Sequence, residues 1–135
     1  MKNFVILFII IFTFINTSFS QIYFGNDAEN LFQGSQIVKI KEGNSLPEYI
    51  KFRTGSEIIF NKFESWLFKS FNFSDEIEIQ YLNTEIDNLG FTHYRCKLKF
   101  NNIPIRNSMF IIHVKNNKVY VNYYRKIVNN VNKVI

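Results

Sequence analysis

The sequence predicts an α+β domain in which one main helix packs across an antiparallel meander sheet. Three observations point there. Apolar side chains recur at helical spacing over residues 61–71, they alternate with polar ones over 76–82 and 92–100, and paired asparagines at Asn101–Asn102 and Asn116–Asn117 punctuate the second half at hairpin spacing.

The chain opens with Met1-Lys2-Asn3, an apolar run from Phe4 to Ile15 interrupted only by Thr13, and Asn16-Thr17-Ser18-Phe19-Ser20 before Gln21. One positive charge, an apolar core and small side chains at Ser18 and Ser20 are the parts of a secretory signal peptide. Residues 1–20 are therefore expected to leave by cleavage between Ser20 and Gln21. A spanning helix needs about 20 apolar residues, more than this run holds, so no stable membrane anchor is expected. Removing 20 of 135 residues leaves 115, enough for one small domain, and the loss of Lys2 lowers the formal charge from +5 to +4. The expected location is secreted or periplasmic.

Lys and Arg are scattered from Lys39 to Lys133 rather than collected in a run, so the basic balance reads as a solubility feature and not as a nucleic-acid footprint. Cys96 is the only cysteine, which rules out an intrachain disulfide and leaves stability to packing.

Residues 21–35 show no period and contain Gly25, Asn26, Asp27, Asn30 and Gly34, which predicts a flexible leader. The domain proper is expected over 36–125. Ser35 to Lys41 alternates well enough for a strand, and Leu46 to Arg53 reads as a partly extended connector with Ile50 and Phe52 on one side. The helix follows. Phe63, Trp66, Leu67 and Phe71 fall on one helical stripe with Trp66 as core anchor, Asn61 and Glu64 are spaced for a capping box, and Asn72 and Asp75 close the helix.

Beyond it the period becomes two. Ile77, Ile79 and Tyr81 share one face of the next strand, and in Thr92 to Phe100 the side chains of Thr92, Tyr94, Cys96, Leu98 and Phe100 point inward while His93, Arg95, Lys97 and Lys99 point outward. Asn101–Asn102 turns the chain because Asn tolerates positive φ, and Pro104, lacking a donor, belongs at a strand start or sheet edge. Met109 to Lys115 and Lys118 to Tyr124 form a hairpin about Asn116–Asn117. The tail, 126–135, repeats Val and Asn without a period.

Catalytic arrangements find no support. His93 and His113 are the only histidines and H-E-x-x-H is missing, so no metal site is expected. Cys96 lies on the inward phase, where a thiol is a small apolar filler. Glu76, Glu78, Glu85 and Asp87 read as an exposed strand face rather than paired acid and base, no serine sits in G-x-S-x-G, and the five glycines form no phosphate loop. A base-stacking platform needs aromatics and cations on one surface, whereas Thr92 to Phe100 places them on opposite faces. No enzyme and no cofactor is expected.

The stretch from Leu89 to Val119 carries G-x-x-H-x-R, N-I-P and H-V-x-N-x-K-V on Gly90, His93, Arg95, Asn102, Ile103, Pro104, His113, Val114, Lys118 and Val119. Before it come Asn44-Ser45-Leu46-Pro47, Ile50-Lys51-Phe52-Arg53-x-Gly55, Phe63-x-x-Trp66-Leu67 and Asn83-Thr84-Glu85-x-Asp87-x-Leu89-Gly90. In this order they resemble the fungalysin/thermolysin propeptide (FTP) domain of secreted thermolysin-like zinc metallopeptidases, over roughly residues 36–121. The chain departs from that pattern where Asn101–Asn102 stands for Asn-Gly, Cys96 for an aromatic, and Arg106–Asn107 for a different turn.

The resemblance implies a cystatin-like, FTP-like fold. It also implies a non-catalytic propeptide role, helping a thermolysin-like metallopeptidase domain to fold and keeping it inactive, in cis within a longer precursor or in trans. The partner interface is expected on His93, Arg95, Lys97, Asn102 and Pro104, since an interface of ~1,600 Å² gives specific binding with no catalytic residue. The alternative reading is a generic extracellular protein-binding domain of cystatin-like architecture.

Overall fold

A computed structural model describes residues 19–42 and 46–124, with side chains as far as Tyr120. The expected signal segment, apart from its last two residues, and the tail 126–135 lie outside the described residues, as do Asn44 and Ser45 of the motif series. Eight strands and two helices follow in the order β1 (Ser20–Phe24), α1 (Asn26–Leu31), β2 (Ser35–Lys41), β3 (Tyr49–Phe52), β4 (Ile58–Ile59), α2 (Phe60–Phe71), β5 (Ile77–Ile86), β6 (Thr92–Phe100), β7 (Ile103–Lys115) and β8 (Lys118–Tyr124). The described strands form one antiparallel sheet in the order β1-β2-β3-β8-β7-β6-β5, with β4 paired to β8. The α+β class is therefore correct, and β5 to β8 are the meander.

Alternation decides what lies between sheet and helix. Val38, Ile50, Phe52, Cys96, Leu98, Phe110, Ile112, Val114 and Val119 point to one side and are buried with Phe63, Leu67 and Phe71 of α2. Trp66 anchors an aromatic cluster, with ring centroids 5.0 Å from Phe52, 5.6 Å from Phe63 and 6.3 Å from Phe71.

Residues 21–35, expected to be a flexible leader, are built into the fold. β1 pairs with β2 from Ser20↔Lys41 to Phe24↔Ile37, and α1 buries Ala28 completely. Ala28 and Phe32, four positions apart, are the buried hydrophobic side chains of this segment, and a helix of 6 residues is too short to display a periodic stripe. Phe32 meets Phe71 edge-on at 5.2 Å, and the Ser35 hydroxyl donates to the Ala28 carbonyl at 2.6 Å.

The capping box on Asn61 and Glu64 does not form. α2 starts one residue earlier with Ile59 at the N-cap and no side-chain cap, because the Phe60 amide donates to the Asn117 carbonyl at 2.9 Å. The turn between β7 and β8 thus satisfies the first orphan donor of the helix from a distance. The far end closes as expected on Asn72 in the left-handed region, with the Phe73 amide reaching the Phe68 carbonyl at 3.0 Å.

Both asparagine pairs turn the chain as expected, with positive φ at Asn101, Asn102, Asn116 and Asn117. Arg106–Asn107, where the chain departs from the usual turn of the pattern, lies within β7 as part of a bulge, where Asn107 has φ 60° and the register jumps between Lys97↔Met109 and Lys99↔Pro104.

Candidate functional site

The outward phase of β6 places His93, Arg95, Lys97 and Lys99 in a row on the sheet face opposite α2, running roughly 20 Å at about 3.3 Å per residue. Across the ladder β5 sets Glu85 opposite His93, Asn83 opposite Arg95, Gln80 opposite Lys97 and Glu78 opposite Lys99. Arg95 Nη2 lies 3.6 Å from Glu85 Oε2 with both side chains about half exposed, a pairing of little energetic weight.

Asn102 and Pro104 stand at the opposite end of β6 from His93. Asn102 Oδ1 accepts from Lys99 Nζ at 3.1 Å, and Pro104 faces Lys99 near the start of β7, where the described pairing with β8 has not yet begun. The five candidate interface residues therefore line one strand and its turn rather than converging on a point. Ser20 and Gln21, the expected cleavage junction, are exposed at the beginning of β1.

The His93 end is more built than a solvated face. His93 Nδ1 is 2.6 Å from His113 Nδ1, and its Nε2 is 3.0 Å from Asp87 Oδ2. Asp87 Oδ1 in turn accepts from the Leu89 and Phe91 amides, each at 2.9 Å. These bonds wrap residues 87–91 into a turn completed by Gly90 at φ 78°, a conformation that a side chain would strain. Phe91 stacks on His93, and Lys115 Nζ lies 5.0 Å from the Phe91 ring centroid. Asp87 is thus an organising group of the turn and not one more exposed strand carboxylate.

Electrostatics agrees with that geometry. The Phe91 amide, followed by bonds from His93 and Leu89, holds the Asp87 carboxyl below the usual carboxylate range. Burial, with the neighbouring His93 charge second, lowers His113 to about 4. On the inner face, burial and then the Glu64 charge push the Cys96 thiol up to about 12, which keeps it protonated and unreactive. Among the described residues no group of three or more His, Cys, Asp and Glu side chains is placed to hold a metal ion. No described helix is long and apolar enough to cross a membrane.

The sequence named both histidines but did not join them. A simple hairpin closing at Asn101–Asn102 keeps the register of Phe100↔Ile103 and Lys99↔Pro104, which would set His93 opposite Phe110. Instead four residues of β7, 105–108, oppose the single residue 98 of β6, and the shift brings His113 into register with His93. The available signal was the polar run Arg106-Asn107-Ser108, which interrupts the apolar alternation between Ile105 and Met109.

The described residues thus form an antiparallel meander whose outer face carries the His93–Arg95–Lys97–Lys99 row and the bonded His113–His93–Asp87 chain. Residues 78–121 match the Fungalysin/Thermolysin Propeptide Motif. The chain carries that motif, a propeptide motif and not a catalytic domain, on β5 after its first residue, all of β6 and β7, and the first four residues of β8. No curated protein and no solved structure matches the chain.

Proposed function

We propose that this protein is an exported, non-catalytic propeptide module that assists the folding of a thermolysin-like metallopeptidase domain and holds it inactive. The observation that carries the reading is the coincidence of the propeptide motif, residues 78–121, with the strands that display the His93–Arg95–Lys97 row. Among the described residues helix α2 and the core occupy the other face of the sheet, which supports the outward face and the Asn102–Pro104 turn as the docking surface. A preformed sheet templates a slowly folding partner by offering shape and polar contacts before the partner has its own core.

Refolding tests this directly. A denatured thermolysin-like catalytic domain is diluted into buffer with and without the chain, and both the yield of active enzyme and its initial activity are followed. Added chain should raise the final yield while delaying the appearance of activity. An unchanged yield together with unchanged activity would defeat the reading, and recovery of only non-peptidase partners from the exported fraction would favour a generic binding domain.

A further inference from the structure

We infer that the His93–His113 pair, with Asp87 behind it, is an acid-opened clasp that ties the turn between β5 and β6 to β7. At 2.6 Å the two Nδ1 atoms accommodate one proton between them. The Asp87 carboxylate can only accept, so the neutral His93 ring carries its proton on Nε2 and presents a bare Nδ1 to the Nδ1–H of His113. This tautomer assignment follows from the hydrogen-bond network.

With one proton added to the pair both contacts keep a donor and an acceptor, one N–H pointing at Asp87 and one lying between the rings. A second is not tolerated. Two imidazolium rings would face N–H to N–H at that separation, losing the hydrogen bond and setting like charges in contact. The lowered affinity of His113 for a proton, with its value of about 4, agrees with strong resistance to the second step.

Among the described residues, charged groups of both signs stand near the pair. From β5 and the turn come Glu85, opposite His93, and Asp87, both of which favour protonation. Arg95 on β6 and Lys115 on β7 oppose it, while β8 contributes Val121 opposite His113 and the Tyr120 ring against Phe91. The turn that the clasp holds carries Leu89, 71 % exposed, and follows Ile86, 75 % exposed, so its release would reshape one end of the outer face. The inference deepens the docking proposal, but it is tested on the chain alone, so either can fail without the other.

Amide hydrogen exchange of Leu89 and Phe91, corrected for intrinsic rates, is measured from pH 7.5 to 3.5 in the native chain, His113→Gln and His93→Gln, with Trp66 fluorescence reporting global folding. In the native chain protection should fall by about tenfold per pH unit as pH drops from 6.5 toward about 4, where the opened rings take up the second proton that the closed pair resists. Both variants should lose that acid step. If the whole domain unfolds with the turn, the variants should move the common transition to lower pH. Protection that stays flat to pH 3.5 in the native chain, or a step of unchanged position in both variants, would overturn the inference.

Discussion

The Ser108 hydroxyl takes the place of a backbone partner for Leu98. It accepts from the Leu98 amide at 3.0 Å, and its proton is directed to the Ile105 carbonyl at 2.8 Å, with the Leu98 carbonyl at 3.2 Å. Ser108 and Leu98 are both fully buried, so the extra residues of β7 are looped out without leaving an unpaired donor. Replacing Ser108 by Ala should cost about 1–3 kcal/mol in urea unfolding, the penalty of a buried amide left without an acceptor. A loss within experimental error would mean that the strand repairs the gap by itself.

Acid should weaken the fold through His113. Its folded-state value of about 4 lies below the ordinary 6.5, so the native state prefers the neutral ring. That contribution is fully present above pH 6.5 and is lost as pH falls toward 4, with a ceiling of about 1.4 kcal/mol per pH unit before screening by solvent. Asp87, whose value is lowered, acts in the same direction, its stabilisation disappearing as pH drops through its folded-state value. Urea midpoints at pH 7 and pH 5 should therefore differ in the native chain, and His113→Gln should narrow the difference.

Cys96 should be inert in the folded protein. Its thiol is buried and raised to about 12, so a disulfide reagent at pH 8 should react only as fast as the domain opens and at full rate in denaturant. Immediate labelling of the native chain would contradict the inward placement of this side chain.

Phe63 and Trp66 should separate packing from polarity. Phe63 is fully buried, and Phe63→Ala should destabilise by about 3–5 kcal/mol. Trp66 has a buried Nε1 with no hydrogen-bond partner among the described residues, so Trp66→Phe removes a costly polar atom together with some apolar surface. Its loss in chemical denaturation should be the smaller of the two.

Charge reversal on the outer row should leave the fold intact and weaken assistance. Arg95→Glu with Lys97→Glu changes side chains on the outward phase, so stability should move by only about 0.5 kcal/mol per site. The yield in the peptidase refolding experiment should fall toward that seen without the chain. Unchanged assistance would remove the β6 row from the interface.

How far the sequence could be read follows from the range of each interaction. Strand β6 was legible residue for residue, because inward Cys96 and Leu98 alternate with outward Arg95 and Lys97 over a single uninterrupted tract. The asparagine turns were legible for the same local reason, since positive φ is a property of the residue itself. Where a local signal competed with a distant partner, the distant partner won. Phe60 takes its cap from Asn117 rather than from Asn61, and Phe32 gains a role only when Phe71 and Trp66 arrive from α2. The His93–His113 contact depended on a register set by the Ser108 bulge, which alternation alone does not reveal.

Strand β5, 10 residues long, forms one border of the described sheet and pairs there only with β6. Leu82 is an extra residue in it, falling between Tyr81↔Cys96 and Asn83↔Arg95, and it breaks that border into two short tracts that also carry Glu78 and Glu85. A second molecule approaching side by side finds no long straight row of amides and carbonyls to continue, and it meets negative charge in each tract. The same irregularity that complicates the ladder therefore makes this border a poor template for edge-to-edge pairing.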